Sequence, residues 1–170
     1  MDIIEEINAD HREIREKVAL LVSNEVAPEV KAEAFSDLST LIGAHTEAEE
    51  KTIYAYAKEI GALRHYAFQN LDDHECMTAL VEKIKDAPGS AIQHARSIAL
   101  SKLLKNHLDS EEEHFLPALR RELTIFDSDQ LARNYRRAAQ GLKLVPKDRS
   151  ARILPMPARN SSLQGAPATH

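Results

Sequence analysis

The sequence predicts an all-α protein: an antiparallel up-down-up-down four-helix bundle with a short fifth helix and a disordered C-terminal tail. Three observations lead there. Apolar residues recur at i, i+3, i+4 and i+7 almost throughout, the period of an amphipathic helix. The composition is 43% hydrophobic and 29% charged but only 5% aromatic, with five glycines and no tryptophan, a mix that favours helix over sheet. Four long periodic segments are joined by short connections, which makes consecutive helices antiparallel neighbours.

Asp2 can cap a first helix that runs to about Asn24. Pro28 suits the first turn of a second helix, where its missing N–H is not needed; that helix ends before Gly61. A third runs from about Ala62 to Asp86, and Ala87-Pro88-Gly89 then breaks the chain. Ser90 can cap a fourth helix reaching about Glu122. Asp127 or Ser128 caps a shorter fifth helix that stops at Gly141. From Val145 onward the proline-rich, polar sequence predicts a disordered tail over 145–170. The folded domain is therefore expected over 1–144, with its core bundle over 2–122 and the accessory helix over about 128–141.

The formal net charge is −5. Residues 145–170 hold four basic residues and one acidic, so that tail carries +3 and residues 1–144 carry −8. An acidic domain without a basic stripe predicts no nucleic-acid partner and no anionic membrane partner. Cys76 is the one cysteine, which excludes an internal disulfide and a cysteine-based zinc site; a buried structural thiol is expected there. No basic region followed by an apolar run opens the chain, and no apolar stretch approaches the length of a membrane span. The expected location is cytoplasmic.

Eight histidines stand out, and four of them fall in an internal repeat. Asp10-His11 with Ile14 resembles Asp73-His74 with Met77. His45-Thr-Glu-Ala-Glu49-Glu50 resembles His107-Leu-Asp-Ser-Glu111-Glu112, with Ile53-Tyr54 and Phe115-Leu116 following at matched offsets. His11 and His45 are separated by 34 residues, His74 and His107 by 33. The chain reads as two helical hairpins, each carrying the same three polar residues.

At about 100° per residue, each of these histidines sits inside the apolar stripe of its helix. Ile4, Ile7, Ile14 and Val18 flank His11; Leu38, Leu41, Ile42 and Ala48 flank His45; Leu63, Ala67, Met77 and Val81 flank His74; Leu100, Leu103 and Leu104 flank His107. Glu49 and Glu111 lie one turn on from His45 and His107, on the same face. A single inward histidine is usually a hydrogen-bonded core residue. Four, two of them paired with Glu, call for compensation of the buried charge, and metal ions supply it, because neutral imidazole and carboxylate are both ligands. Mixed imidazole and carboxylate donors suit iron, with manganese or zinc as competitors. The expected ligands are His11, His45, Glu49, His74, His107 and Glu111.

Other residues are sorted by the same geometry. His65 and His94 should face solvent. His114 projects near His107 and Glu111 and is expected beside the ligands or in the core. Tyr56 falls on the inward face, and it or Tyr54 could support the site or act in redox chemistry. Asp10 and Asp73 lie one residue off the inward face and are expected to be solvated. Glu-xx-His, as in ferritin-like sites, occurs facing inward only at Glu111 and His114, and the zinc-protease pattern is absent.

These residues resemble the hemerythrin-like family, including the HHE cation-binding domains. The likeness covers roughly residues 2 to 122 and rests on His11, His45-xxx-Glu49, His74 and His107-xxx-Glu111-Glu112-xx-Phe115-Leu116-Pro117. It implies two iron ions joined by both glutamates and an oxo or hydroxo group, and a small diatomic or peroxide ligand. Oxygen-carrying members have a further His four residues after the third-helix His, where this chain has Thr78, and His-xxxx-Asp on the fourth helix. Thr78 is therefore expected near the ligands without being one. Four histidines point away from oxygen storage and toward sensing or reacting with oxygen, nitric oxide or peroxide. Catalytic alternatives are peroxidase, nitric oxide-reducing or iron-centre repair activity. A metal-free interaction module is the remaining alternative, with a protein partner or second copy docking on the fifth helix around Asn134, Tyr135, Arg136 and Arg137.

Overall fold

Local signals place the helix ends. In the computed structural model, which describes residues 1–143, Asp2 Oδ1 accepts from Ile4 N at 2.9 Å and opens α1, Ile3–Val22. The tail expected over 145–170 lies outside the described residues. Pro28 begins α2, Pro28–Lys51, which is followed by the short α3, Ile53–Lys58. α4 spans Arg64–Lys85. Gly89 takes a positive φ of 70° that glycine accommodates freely, and Ser90 then caps α5, Ala91–Ser110, by accepting from Gln93 N at 3.0 Å. A π-helical turn, Glu111–Phe115, leads into α6, Leu116–Glu122, and α7 spans Ile125–Lys143. No strand occurs among the described residues.

The four arms of the bundle are α1, α2 with α3, α4, and α5 with α6. α1 packs on α2 and α5, and α4 packs on α2, α3 and α5, which closes the ring. α7 lies against α1 and α2.

Two arms are interrupted just after the site glutamates. Thr52 has φ −123° and ψ −85°. Its hydroxyl donates to the Ala48 carbonyl at 2.6 Å, taking the acceptor its own N–H would use in a regular helix, and that N–H turns to Glu49 O at 3.1 Å. The break resets the helical phase. In the other arm, Pro117 has no N–H for the Glu113 carbonyl and its ring crowds that carbonyl; the wider i→i+5 turn before it, closed by Leu116 N to Glu111 O, removes the conflict.

The core consists of two apolar clusters. One gathers Ile3, Ile7, Ile53, Tyr54, Leu63, Phe115, Leu119 and the inner face of α7. The other gathers Ile14, Leu38, Leu41, Met77, Val81, Ile84, Leu100 and Leu104. Along each arm the site histidine falls between members of the two clusters.

Two expectations about local structure are corrected. α7 starts at Ile125 because Thr124, not Asp127 or Ser128, caps it: Thr124 Oγ1 accepts from Asp127 N at 3.2 Å and Asp127 Oδ2 accepts from Thr124 N at 3.2 Å, a reciprocal capping box. Ser128 Oγ is used to accept from Ile3 N at 3.2 Å, which ties α7 to α1. Cys76 is exposed rather than buried; two residues from His74, it faces away from the core. Leu38 is fully buried in the second cluster. Leu38→Ala should cost about 2–5 kcal/mol, read as a lower urea midpoint at constant metal content.

Candidate metal centre

Each site histidine is delivered by the middle of a different arm, and all four are at most 2% exposed. Glu49 and Glu111 are fully buried. The i, i+4 spacing stacks Glu49 on His45 and Glu111 on His107, with Nε2 to Oε2 distances of 3.2 and 3.6 Å.

The imidazoles form two pairs. His11 and His45 have ring centroids 5.1 Å apart, and His74 and His107 are 4.9 Å apart. Each carboxylate spans both pairs. Glu49 Oε2 lies 3.2 Å from His45 Nε2 and 3.4 Å from His74 Nε2. Glu111 Oε2 lies 3.3 Å from His11 Nε2 and 3.6 Å from His107 Nε2. Potential ligand atoms of His11, His45, Glu49 and Glu111 all lie within 4.8 Å of one another, and so do those of Glu49, His74 and His107. The two groups share Glu49.

All four histidines turn Nε2 inward and Nδ1 outward. His11 Nδ1 meets Glu112 Oε1 at 2.8 Å, and His74 Nδ1 meets Glu50 Oε1 at 3.0 Å. His107 Nδ1 is 3.4 Å from Asp73 Oδ2. His45 Nδ1 is 2.8 Å from the Tyr135 hydroxyl, which donates to Asp10 Oδ2 at 2.7 Å. An acceptor at Nδ1 keeps the proton there and leaves the Nε2 lone pair free for a cation.

Five of the inward atoms have no hydrogen-bond partner among the described residues: Nε2 of His11, His45 and His107, Oε1 of Glu49 and Oε2 of Glu111. Orphaned buried polar atoms are rare and costly. All five are metal-donor atoms of the six residues, so the donor set fits metal ions.

The electrostatics match. Burial, reinforced by the nearby His11, pushes His45 well below its ordinary pKa. Burial and His107 lower His74. Both are thereby held as neutral imidazoles. Burial also works against charging His11, but the neighbouring carboxylates of Glu111 and Glu112 outweigh it and raise that histidine. Glu49 is pushed well above the usual carboxylate range by burial and by Glu111. Burial would raise Glu111 too, yet His107, His11 and His45 hold it well below that range.

Further groups complete the site. The Tyr54 hydroxyl donates to Glu111 Oε1 and lies 3.3 Å from Glu49 Oε2 and 3.4 Å from His74 Nε2. Asn70 Nδ2 donates to the same Glu111 oxygen at 2.9 Å. On an uninterrupted helix Tyr54 would lie about 180° from His45; the break at Thr52 brings it inward and carries Tyr56 outward, where its hydroxyl donates to the Glu122 carbonyl at 3.2 Å. Tyr56 is therefore corrected from the site to the core edge. His114 is exposed, because the π turn rotates it out and brings Phe115 inward. Thr78 is exposed as well: the buried stripe of α4 is centred on the Met77 side of His74. His65 and His94 are exposed, as expected.

Asp10 and Asp73, expected to be solvated, instead stand behind His45 and His107, and sequence reasoning did not reach Glu50, Glu112, Tyr135 or Asn70 as site groups. The signal of the four acids was present in the duplicated Asp-His and Glu-Glu pairs. Tyr135 and Asn70 have no copy in the repeat and gave none.

A helical bundle with a buried, shared histidine and glutamate cluster defines the protein as metal-binding. The family model of the hemerythrin HHE cation binding domain matches residues 2–119, most of the chain, and the protein belongs to that family. No curated protein and no solved structure matches it.

Glu49→Gln separates the cost of this layer from its use. In chelated protein the substitution removes a buried acid without a cation and should leave the thermal midpoint equal or higher. With ferrous iron at about a hundred times its Kd, the unaltered protein should gain about 2.7 kcal/mol, and the order should reverse.

Proposed function

We propose that the six residues hold two iron ions, His11 with His45 at one and His74 with His107 at the other, with Glu49 and Glu111 between them. The protein then binds, senses or reacts with oxygen, nitric oxide or peroxide. The observation that carries this reading is the placement of each buried carboxylate between one histidine of each pair. Imidazole with carboxylate suits iron ahead of manganese or zinc. Iron in such a site supplies redox chemistry and a coordination position for a small ligand.

The chain's own residues prepare that chemistry. The Nδ1 acceptors hold each imidazole in one orientation. Tyr54 and Asn70 occupy Glu111 Oε1 and leave Oε2 toward the imidazoles. The apolar clusters on both sides exclude bulk water. Met77, 1% exposed, fills the inward position beside His74, so α4 contributes one imidazole only. Fewer protein donors leave more room for an outside ligand, which favours sensing or reaction over oxygen storage.

Tyr54 favours a second reading, turnover of peroxide or nitric oxide, because its phenol places a proton against both carboxylates. Burial, with Glu111 and Glu49, raises its pKa well above the ordinary value and keeps that proton in place.

Protein loaded anaerobically should contain two irons per chain, and its absorbance should change on adding oxygen, peroxide or nitric oxide. His45→Ala should lose iron and the change together. Absence of stoichiometric iron, or a spectrum indifferent to His45→Ala, would sink the proposal. Steady-state consumption of peroxide that drops about a hundredfold or more in Tyr54→Phe, the low end of a general-acid contribution of about 10²–10⁴, would select the catalytic reading; a bound ligand without turnover would select sensing.

A further inference from the structure

The two halves of the site are related by the sequence repeat, but their outer support differs at one place. His107 Nδ1 faces Asp73 Oδ2 directly at 3.4 Å. The matching pair, His45 Nδ1 and Asp10 Oδ2, stands 3.9 Å apart with the Tyr135 hydroxyl inserted between them. That hydroxyl has one proton, and it goes to Asp10. The oxygen can then only accept from His45 Nδ1–H, which leaves His45 Nε2 unprotonated and facing the site. Tyr135 comes from α7, which lies beyond the residues matched by the family, 2–119.

We propose that Tyr135 is a positioning residue that ties the docking of α7 to the occupancy of the His11/His45 half of the centre. It rests on the metal reading above. Leu131, Ala132, Tyr135 and Ala139 form the buried face of α7. Outside that face α7 is held to α1 by Ser128 to Ile3 and by Arg136, whose Nε donates to Glu6 Oε2 at 2.6 Å. Tyr135 is thus the one residue of this helix that hydrogen-bonds to a site histidine among the described contacts. A cation on His45 Nε2 polarises the imidazole and strengthens the Nδ1–H to phenol hydrogen bond. Docking of α7 in turn fixes the ring for the cation. The coupling is reciprocal by linkage, and it acts on one half of the centre, since the Nδ1 atoms of His74 and His107 meet Glu50 and Asp73 instead.

The test uses the full chain and Co(II), followed by its visible absorption. His107→Ala leaves the His11/His45 pair intact, and adding Tyr135→Phe should weaken Co(II) binding about ten- to a hundredfold. His11→Ala leaves the other pair intact, and there Tyr135→Phe should change affinity by less than about twofold. Equal weakening in both backgrounds, or none in the first, overturns the proposal. In the chain without other substitutions, Co(II) should slow amide hydrogen exchange across α7, and Tyr135→Phe should abolish the slowing without loss of helicity by circular dichroism. Slowing that survives Tyr135→Phe also overturns it. If the unaltered chain takes up no Co(II), the metal reading itself falls; uptake with no difference between backgrounds removes only the role of Tyr135.

Discussion

Four imidazoles and two carboxylates share one level of a closed helical core, and the rest of the structure answers to that fact. The side chains of this layer are at most 2% exposed, and five of their donor and acceptor atoms find no hydrogen-bond partner among the described residues. Above and below it lie separate apolar clusters, whose polar contribution to the layer is the hydroxyls of Tyr54 and Tyr135. Burial of this kind is tolerated when opposite charge enters the layer. Metal ions do so with the atoms already aimed at them. The clusters on either side then supply the hydrophobic stabilisation and the dry surroundings in which those interactions are strong.

The layer is kept in register by acids one step further out. Glu112 reaches from one hairpin to His11 of the other, and Glu50 reaches back to His74. Asp73 and, through Tyr135, Asp10 act within their own hairpins. The repeat thus duplicates a supporting frame as well as a set of inward residues. The helix irregularities belong to the same design. Each follows a buried glutamate, and each decides which side chain comes next to it: Tyr54 after the break at Thr52, Phe115 across the π turn. The first sets a phenol against both carboxylates, and the second sets the Phe115 ring against that of Tyr54, with centroids 5.6 Å apart.

Periodicity and duplication made the bundle and the six inward residues legible, because a regular helix carries its phase from one residue to the next. Each of His11, His45, Glu49, His74, His107 and Glu111 lies before, or at the first residue of, any irregular turn in its own arm, so a regular helix gives its angle directly. Tyr56 and His114 follow the irregular turns, and an uninterrupted helix gives the wrong side for both. Thr78 failed for a different reason: it sits on the flank of the stripe, where 100° steps do not decide burial. Pro117 and the β-branched Thr52 were the available signals of broken phase. The partners of the histidine Nδ1 atoms depend on which arms are neighbours and how they cross, which one sequence does not specify. Tyr135 is the extreme case, 90 residues from the histidine it supports.

In the proposed centre two ions would share two carboxylates and divide four histidines. X-ray absorption at the iron edge of the loaded protein tests it most directly. The account predicts two imidazole nitrogens per iron, mixed with oxygen donors, and a clear iron–iron scattering contribution. A spectrum with three or four imidazoles on an isolated iron would contradict it.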